Sequence, residues 1–444
     1  MKTLSFIILS IFICHSTGAT DKSDRILTST TAMGATKKGN ADASIPDWQG
    51  GIISPPKAYR KGEHHIDPFK NDAVLYTINK SNFRQHEKNM TAGQIAMIMQ
   101  NTNYQIPVYP SRRCASFPQA IYDANKTNIE EVKISKDGNA ITNYRLGIPF
   151  PKPKLGEEFI WNHILRYRGA GGIRHLTQSI FSPSSKTLVT KFENNIIFTN
   201  DALQSPSNNT LFKLRRSVTY PSISAGRISL IHEPINRAHQ ARNIWTYSPS
   251  HRRVRRTPNI GYDYPAFATQ GLMTSDQLDM FNGALDRYHW KLIGKKEIIV
   301  PYNTYKLHKK SIKHKNLVAD GHIAAKYLRY ELHRTWVIES TLKPGNSHYY
   351  RKRTFYIDED SWQIVAVDIY DENLNIWRVS EAHTINFYEI PMIGVTLESH
   401  YDLKTKQLLL YGLDHQKGLA DYSNTDNPNY FSPSSLRRQT NRLR

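Results

Sequence analysis

Thr335-Trp-Val-Ile-Glu-Ser-Thr-Leu342, then Pro344-Gly-Asn346, then His348-Tyr-Tyr-Arg-Lys-Arg-Thr-Phe-Tyr-Ile357 set two strand-like runs on either side of a turn. The β-branched and aromatic residues of these runs suit a pleated, half-buried surface, and Pro-Gly-Asn punctuates them. The pattern continues without interruption. Asp358-Glu-Asp-Ser361 turns into Trp362-Gln-Ile-Val-Ala-Val-Asp-Ile-Tyr370, and Asp371-Glu-Asn373 turns into Asn375-Ile-Trp-Arg-Val-Ser-Glu-Ala-His383. Successive strands joined by short turns pair with their neighbours, so this stretch predicts an antiparallel meander.

Working back towards the N-terminus, period-two runs recur at Leu188-Val-Thr-Lys-Phe192, Leu211 to Tyr220, Arg227 to His232 and Arg242 to Tyr247. A mainly β (α+β) chain with one large curved antiparallel sheet follows, spanning 175–444 with a helical insert near 274–287. Residues 66–174 read instead as a helical and mixed segment packed on the sheet. Thr91 and Gln94 stand at capping-box spacing ahead of an apolar run. Pro118 suits a helix start, and Glu157 to Arg168 keeps helical spacing of Phe159, Ile160, Ile164 and Leu165. Residues 20–65 read as an extended arm laid over the body.

The chain has 444 residues, and its first nineteen have the form of a secretory signal. Lys2 precedes an apolar run from Leu4 to Cys14, and Thr17 and Ala19 place cleavage after Ala19. Phe12 and Ile13 are too bulky for lipid modification of Cys14, so a periplasmic protein that is not a lipoprotein is expected. Later apolar runs fall short of the ~20 residues of a membrane span. Two cysteines exclude a disulfide scaffold, and after cleavage Cys114 stands alone as a structural, partly buried residue.

Catalytic motifs with their own mechanism are absent: there is no nucleophile elbow, no His-Glu-x-x-His helix and no phosphate loop. The 18 histidines are scattered, and no set of spaced ligands points to a metal or a cofactor. Asp358 and Asp360 read as turn residues. Two other features carry more. The formal charge is +21, and between residues 202 and 262 ten Lys/Arg face a single acid, Glu233. The densest part, Arg252, Arg253, Arg255 and Arg256, falls on a hairpin suited to anionic headgroups or an acidic partner; export removes nucleic acid as the default. The alternative is an edge strand guarded by charge. Aromatic residues at Trp245, Tyr247, Trp290, Tyr330, Trp336, Phe355, Trp362 and Trp377 sit on or beside predicted strands. Trp245, Tyr247, Trp290, Trp336, Phe355 and Trp377 are the candidates for an apolar ligand wall, with core packing as the plain alternative.

Several segments together resemble the bacterial family called domain of unknown function 1329. They are Ser44-Ile-Pro-Asp-Trp-Gln-Gly-Gly-Ile52, Val108-Tyr-Pro-Ser-Arg-Arg113, Trp161 to Gly169, Arg252 to Arg256, Met280 to Lys296, Tyr330-Glu-Leu-His-Arg-Thr-Trp336 and Phe355 to Gln363. That family's members are labelled outer-membrane lipoprotein-sorting proteins, and they look like enlarged relatives of the carrier LolA and its receptor LolB. The resemblance implies an unclosed β-barrel with helices on its concave side and a cavity for a lipid or other hydrophobic molecule. It further implies service to a resistance-nodulation-division (RND) exporter and an outer-membrane protein, and supplies no catalytic residues. A carrier or adaptor is therefore expected, with a ligand-free structural adaptor or an enzyme on a lipophilic substrate as rivals.

Overall fold

The computed structural model describes residues 29–198, 209–257, 261–414, 416, 420–422 and 428–436. The expected signal segment and its cleavage point lie outside them. The described elements run β1 (Tyr76–Ile78), α1 (Ala92–Gln100), β2 (Ile106–Tyr109), α2 (Gln119–Glu131), β3 (Lys133–Ile134), β4 (Ile141–Thr142) and α3 (Gly156–Leu165). Next come β5 (Gly171–Ser182), β6 (Ser185–Phe198), β7 (Thr210–Tyr220), β8 (Ile228–Pro234), β9 (Asn243–Ser248), β10 (Arg253–Thr257) and β11 (Tyr288–Pro301). The last are β12 (Val318–Ala319), β13 (His322–Ile323), β14 (Tyr330–Leu342), β15 (Lys352–Asp358), β16 (Ile364–Tyr370), β17 (Ile376–Phe387), β18 (Met392–Asp402) and β19 (Gln407–Gly412).

Two antiparallel meanders make one sheet. β14 to β19 follow one another in space as in sequence, and so do β5 to β10. The seam is the pairing of β19 with β5, with Leu408 opposite Phe181 and Gly412 opposite Thr177. β11 pairs along the whole of β14, forming one edge, and β10 forms the other. These two edges do not pair with each other, so the sheet is not closed. β15 pairs with Thr335 to Thr341 and leaves the start of β14 for the short parallel strand β2 at Tyr330 and Glu331, which makes the sheet mixed.

Strand alternation assigns the two faces. Ile338, Phe355, Ile357, Val367, Ile369 and Ala382 point to one side, where α3 brings Phe159, Ile160 and Trp161 against them. Val379, Leu397, Tyr401, Leu408 and Leu410 point to the other, against Met97 and Ile98 of α1. Each fully buried side chain of this kind stabilises the fold by about 1.5–3 kcal/mol. Both helices approach the strands through glycine. A Cβ on Gly93 would sit 2.3 Å from Asp368 Oδ1, and one on Gly156 would sit 2.7 Å from the Trp290 carbonyl.

The capping box of α1 forms as its spacing predicts, with Gln94 N donating to Thr91 Oγ1 at 3.0 Å and Thr91 N to Gln94 Oε1 at 3.1 Å. Two expectations need correction. The helices do not share the concave side but divide between the two faces of the sheet, because the apolar alternation gives both faces something to bury. The helical insert near 274–287 is a single 3-10 stretch, Ser275–Met280, broken at Leu278 and Asp279. The Asp358–Ser361 turn forms, and Asp358, Glu359 and Asp360 are all buried in it, because the described part of the arm lies across them. Trp362 Nε1 donates to the Met33 carbonyl at 2.8 Å, and Arg113 Nη2 to that of Thr36 at 2.7 Å.

Candidate functional site

Beyond the core, the face that carries α3 continues onto β5–β9, where among the described residues no α-helix covers it. Leu214, Arg216 and Val218 of β7 and Ser229 and Ile231 of β8 point into the open there, with Ile244 and Thr246 of β9. The loop 261–278 arches over them, held by the bridge between Pro265 and Thr274 and by Ala266 N donating to the Met273 carbonyl at 2.9 Å. Phe267, Met273 and Leu278 of this loop form the roof. Between sheet and loop lies a groove of about 530 Å³, within the size range of small-molecule sites.

The charged residues that line the groove are all cationic: Arg216, Arg227 and Arg242. Arg242 reaches from its rim to Glu233, a buried carboxylate that also holds Arg237 Nε at 2.8 Å. Arg216 donates from Nε to Asn194 Oδ1 at 3.0 Å and from Nη2 to the Tyr411 hydroxyl at 2.6 Å. Its guanidinium lies 5.1 Å from the Phe192 ring centroid, and that of Arg227 lies 4.9 Å from Phe267. Those two rings meet edge to face at 6.3 Å.

The six aromatic candidates do not line this groove. Strand parity turns Trp245 and Tyr247 to the opposite face, beneath Phe431 and Leu436. Trp290 and Phe355 fill the core with Phe281, and Trp336 leans on Phe159 at 4.9 Å between centroids. Trp377 packs on Tyr350, and its Nε1 donates to Asp402 Oδ2 at 3.0 Å. The signal that could have found the groove was the residue type between them: Ile244 and Thr246 alternate with Trp245 and Tyr247. Arg252, Arg253, Arg255 and Arg256 lie together in the turn and second strand of one hairpin. All four are exposed on the β9–β10 hairpin at the sheet's free edge.

Two buried clusters escaped sequence reasoning because their members come from distant parts of the chain. In one, His65 Nδ1 meets His308 Nε2 at 3.2 Å, and Glu389 Oε2 lies 2.9 Å from His65 Nε2. His308 Nδ1 lies 3.3 Å from Asp414 Oδ1, and Asp414 Oδ2 accepts from Arg174 Nε at 2.7 Å. His65 and Glu389, with Tyr59, open onto a second pocket of about 520 Å³. Burial holds the His308 imidazole below its ordinary pKa, while Arg174 and His308 outweigh burial and hold Asp414 well below the usual carboxylate range.

The other cluster underlies the acidic turn. His333, Asp358 and Asp360 each place a ligand atom within 4.8 Å of the others. Arg113, however, takes both oxygens of Asp360, and Glu331 takes His333 Nε2 at 3.1 Å. The arrangement is thus built as an ion-pair network rather than as a convergent ligand set. Burial beside Asp360 pushes Asp358 up to about 6. Burial also lifts the Cys114 thiol well above its ordinary value; its Sγ donates to Asn303 Oδ1 at 3.0 Å, in keeping with a structural cysteine.

A family model described as "Protein of unknown function (DUF1329)" matches residues 77–437. An uncharacterized protein of Pseudomonas aeruginosa is 40% identical over 424 residues, covering 94% of this chain and 93% of its own. Among solved structures, a putative outer membrane lipoprotein-sorting protein domain from Vibrio parahaemolyticus aligns at 12% identity and a TM-score of 0.42, over 61% of this chain and 92% of its own. A DUF1329 family protein from Desulfovibrio piger gives 15% identity and a TM-score of 0.42, over 60% and 92%. A LolA superfamily protein from Nitrosomonas europaea gives 12% and 0.36, over 59% and 91%.

Proposed function

This chain belongs to the DUF1329 family of proteins of unknown function, and from that premise we propose that it is a periplasmic carrier whose groove over β5–β9 holds a hydrophobic molecule. One observation carries the reading: Leu214, Val218, Ile231, Ile244, Phe267 and Met273 line a cleft that, among the described residues, no α-helix fills. Burying apolar ligand surface there supplies affinity at about 25 cal/mol per Å² before the costs of association. The roof is a loop, so it can move aside for loading without disturbing the sheet. Among the described residues no helix is long and apolar enough to cross a membrane. The exposed arginines of the β9–β10 hairpin then serve as the docking surface for an anionic membrane or for an acidic face of an exporter or outer-membrane partner.

Native mass spectrometry of the protein drawn gently from the periplasm tests the reading. A lipophilic adduct is expected, lost on denaturation and lost in Ile231→Trp, whose indole would fill the groove. A bare mass for the wild type, unchanged after incubation with envelope lipid extract, overturns it.

The chain of Glu389, His65, His308 and Asp414 favours a second reading, acid–base chemistry at the pocket beside Tyr59. Hydrolytic turnover of a lipophilic ester, abolished by His65→Asn, would establish it; equal background rates in both proteins would remove it.

A further inference from the structure

The groove's two ends differ electrostatically, and this difference identifies the class of molecule it takes. At one end Arg242 is neutralised by Glu233. At the other stand Arg216 and Arg227. In the β7–β8 register Arg216 lies opposite Ser229, and Arg227, two residues before Ser229 and just ahead of β8, lines the groove beside it, its carbonyl accepting from Val218 N at 2.9 Å. Among the described residues neither guanidinium has a carboxylate within 4.0 Å, and the partners of Arg216 are the neutral Asn194 and Tyr411. Both guanidinium groups lie over the edge-to-face pair of Phe192 and Phe267, and both side chains line the groove. The apolar wall of Leu214, Ile231 and Ile244 runs from this pair towards Arg242.

We propose that the cargo is an acidic amphiphile, with an oxyanion head, carboxylate or phosphate, between Arg216 and Arg227 and a single apolar tail along Leu214, Ile231 and Ile244. This rests on the groove being the carrier site. A neutral lipid would leave two cations facing an uncharged head and would forgo the stronger, charge-assisted hydrogen bonds that guanidinium makes to oxyanions. A doubly charged bare anion would waste the apolar wall. The tail decides whether a molecule enters, and the two arginines decide which end goes where.

The test compares hexadecanoate, hexadecyl phosphate and hexadecanol on the full mature chain by titration calorimetry. At least one of the two anions is expected to bind roughly tenfold or more tightly than the alcohol, which corresponds to one good charge-assisted contact. The comparison of the two anions separates a fatty-acid source from a phospholipid-like one. Arg216→Gln/Arg227→Gln should erase the preference while leaving hexadecanol binding intact. Arg227→Gln alone, on an exposed side chain, should lose part of it and guards against misfolding of the double variant. Equal affinity for all three in the wild type overturns the acidic-head inference and leaves the carrier reading standing. Binding of none of the three overturns both.

Discussion

Arg113 holds Asp360 through two parallel hydrogen bonds, Nε to Oδ2 at 2.9 Å and Nη2 to Oδ1 at 2.7 Å. The same guanidinium donates to the carbonyls of Thr36 and Lys37, so one buried side chain ties the N-terminal arm to the β15–β16 turn. A fork of this geometry is strong, yet both charges have left water, and its net worth depends on the pair staying intact.

Arg113→Met should accordingly cost about 3–5 kcal/mol of unfolding free energy, because Asp360 and Glu359 would remain buried beside an apolar side chain. The arm should also become sensitive to protease between residues 29 and 50. Combining it with Asp360→Leu should recover part of the loss, since removing both charges removes the unpaired one. Urea denaturation and limited proteolysis provide the check, and a loss below about 1 kcal/mol with an unaltered cleavage pattern would refute the clasp.

Glu381 predicts a pH dependence. It lies wholly buried under α1, accepting from the Tyr330 hydroxyl at 2.7 Å and from Gln94 Nε2 at 3.1 Å, and burial raises its pKa to about 7. A carboxyl whose pKa is higher folded than unfolded binds more protons in the native state, so stability falls as pH rises from the ordinary value of 4.5 to about 7. The slope from this group is at most about 1.4 kcal/mol per pH unit. Glu381→Gln removes the charge and keeps an acceptor for one of the two donors, its amide N–H being able to donate to the other partner only if that is the Tyr330 hydroxyl oxygen. Its stability relative to the wild type should therefore climb across that window and level off above it; a difference that is flat with pH would show that Glu381 is ionised throughout.

What the sequence disclosed and what it hid divide along one physical line. Local rules were readable: the period-two runs, the Pro-Gly-Asn turn and the Thr91–Gln94 box each act within a few residues, and each forms. Non-local consequences were not. Nothing near Leu408 announces that it will pair with Phe181, yet that seam joins the two meanders. Asp358 obeys turn chemistry, its Oδ2 accepting from Ser361 N at 3.0 Å, and is also buried by an arm more than 300 residues earlier in the chain. At Trp245 one residue of parity decides the face: the large aromatic turns away from the cleft and the smaller Ile244 lines it.

Core and groove should separate on mutation. Phe355 is fully buried among Phe281, Trp290 and Tyr288, so Phe355→Ala should cost about 3–5 kcal/mol while the molecules that still fold carry adduct at the wild-type level. Ile231→Trp should do the reverse, emptying the groove with little change in melting temperature. Paired thermal melts and native masses read both effects. If Phe355→Ala strips the adduct without loss of stability, the apolar site lies in the interior after all.

The hairpin prediction turns on screening. Arg252, Arg253, Arg255 and Arg256 are exposed, and among the described residues none has an acidic partner within 4.0 Å, so replacing all four by Gln should leave stability within about 0.5 kcal/mol of wild type. Val254 keeps the strand anchored through its contact with the Tyr247 cluster. Near an anionic bilayer each of these cations is worth about 1 kcal/mol, which makes the quadruple variant weaker by about two to three orders of magnitude on phosphatidylglycerol vesicles. Raising the salt shortens the Debye length from about 10 Å at 0.1 M to about 3 Å at 1 M and should weaken the wild type in the same way, bringing the two proteins together. Vesicle flotation across that salt range distinguishes this from edge protection. Under edge protection alone the wild type would float no better than the variant at any salt, and the variant would aggregate instead, through the hydrogen-bonding edge of β10 that the arginines had kept from pairing.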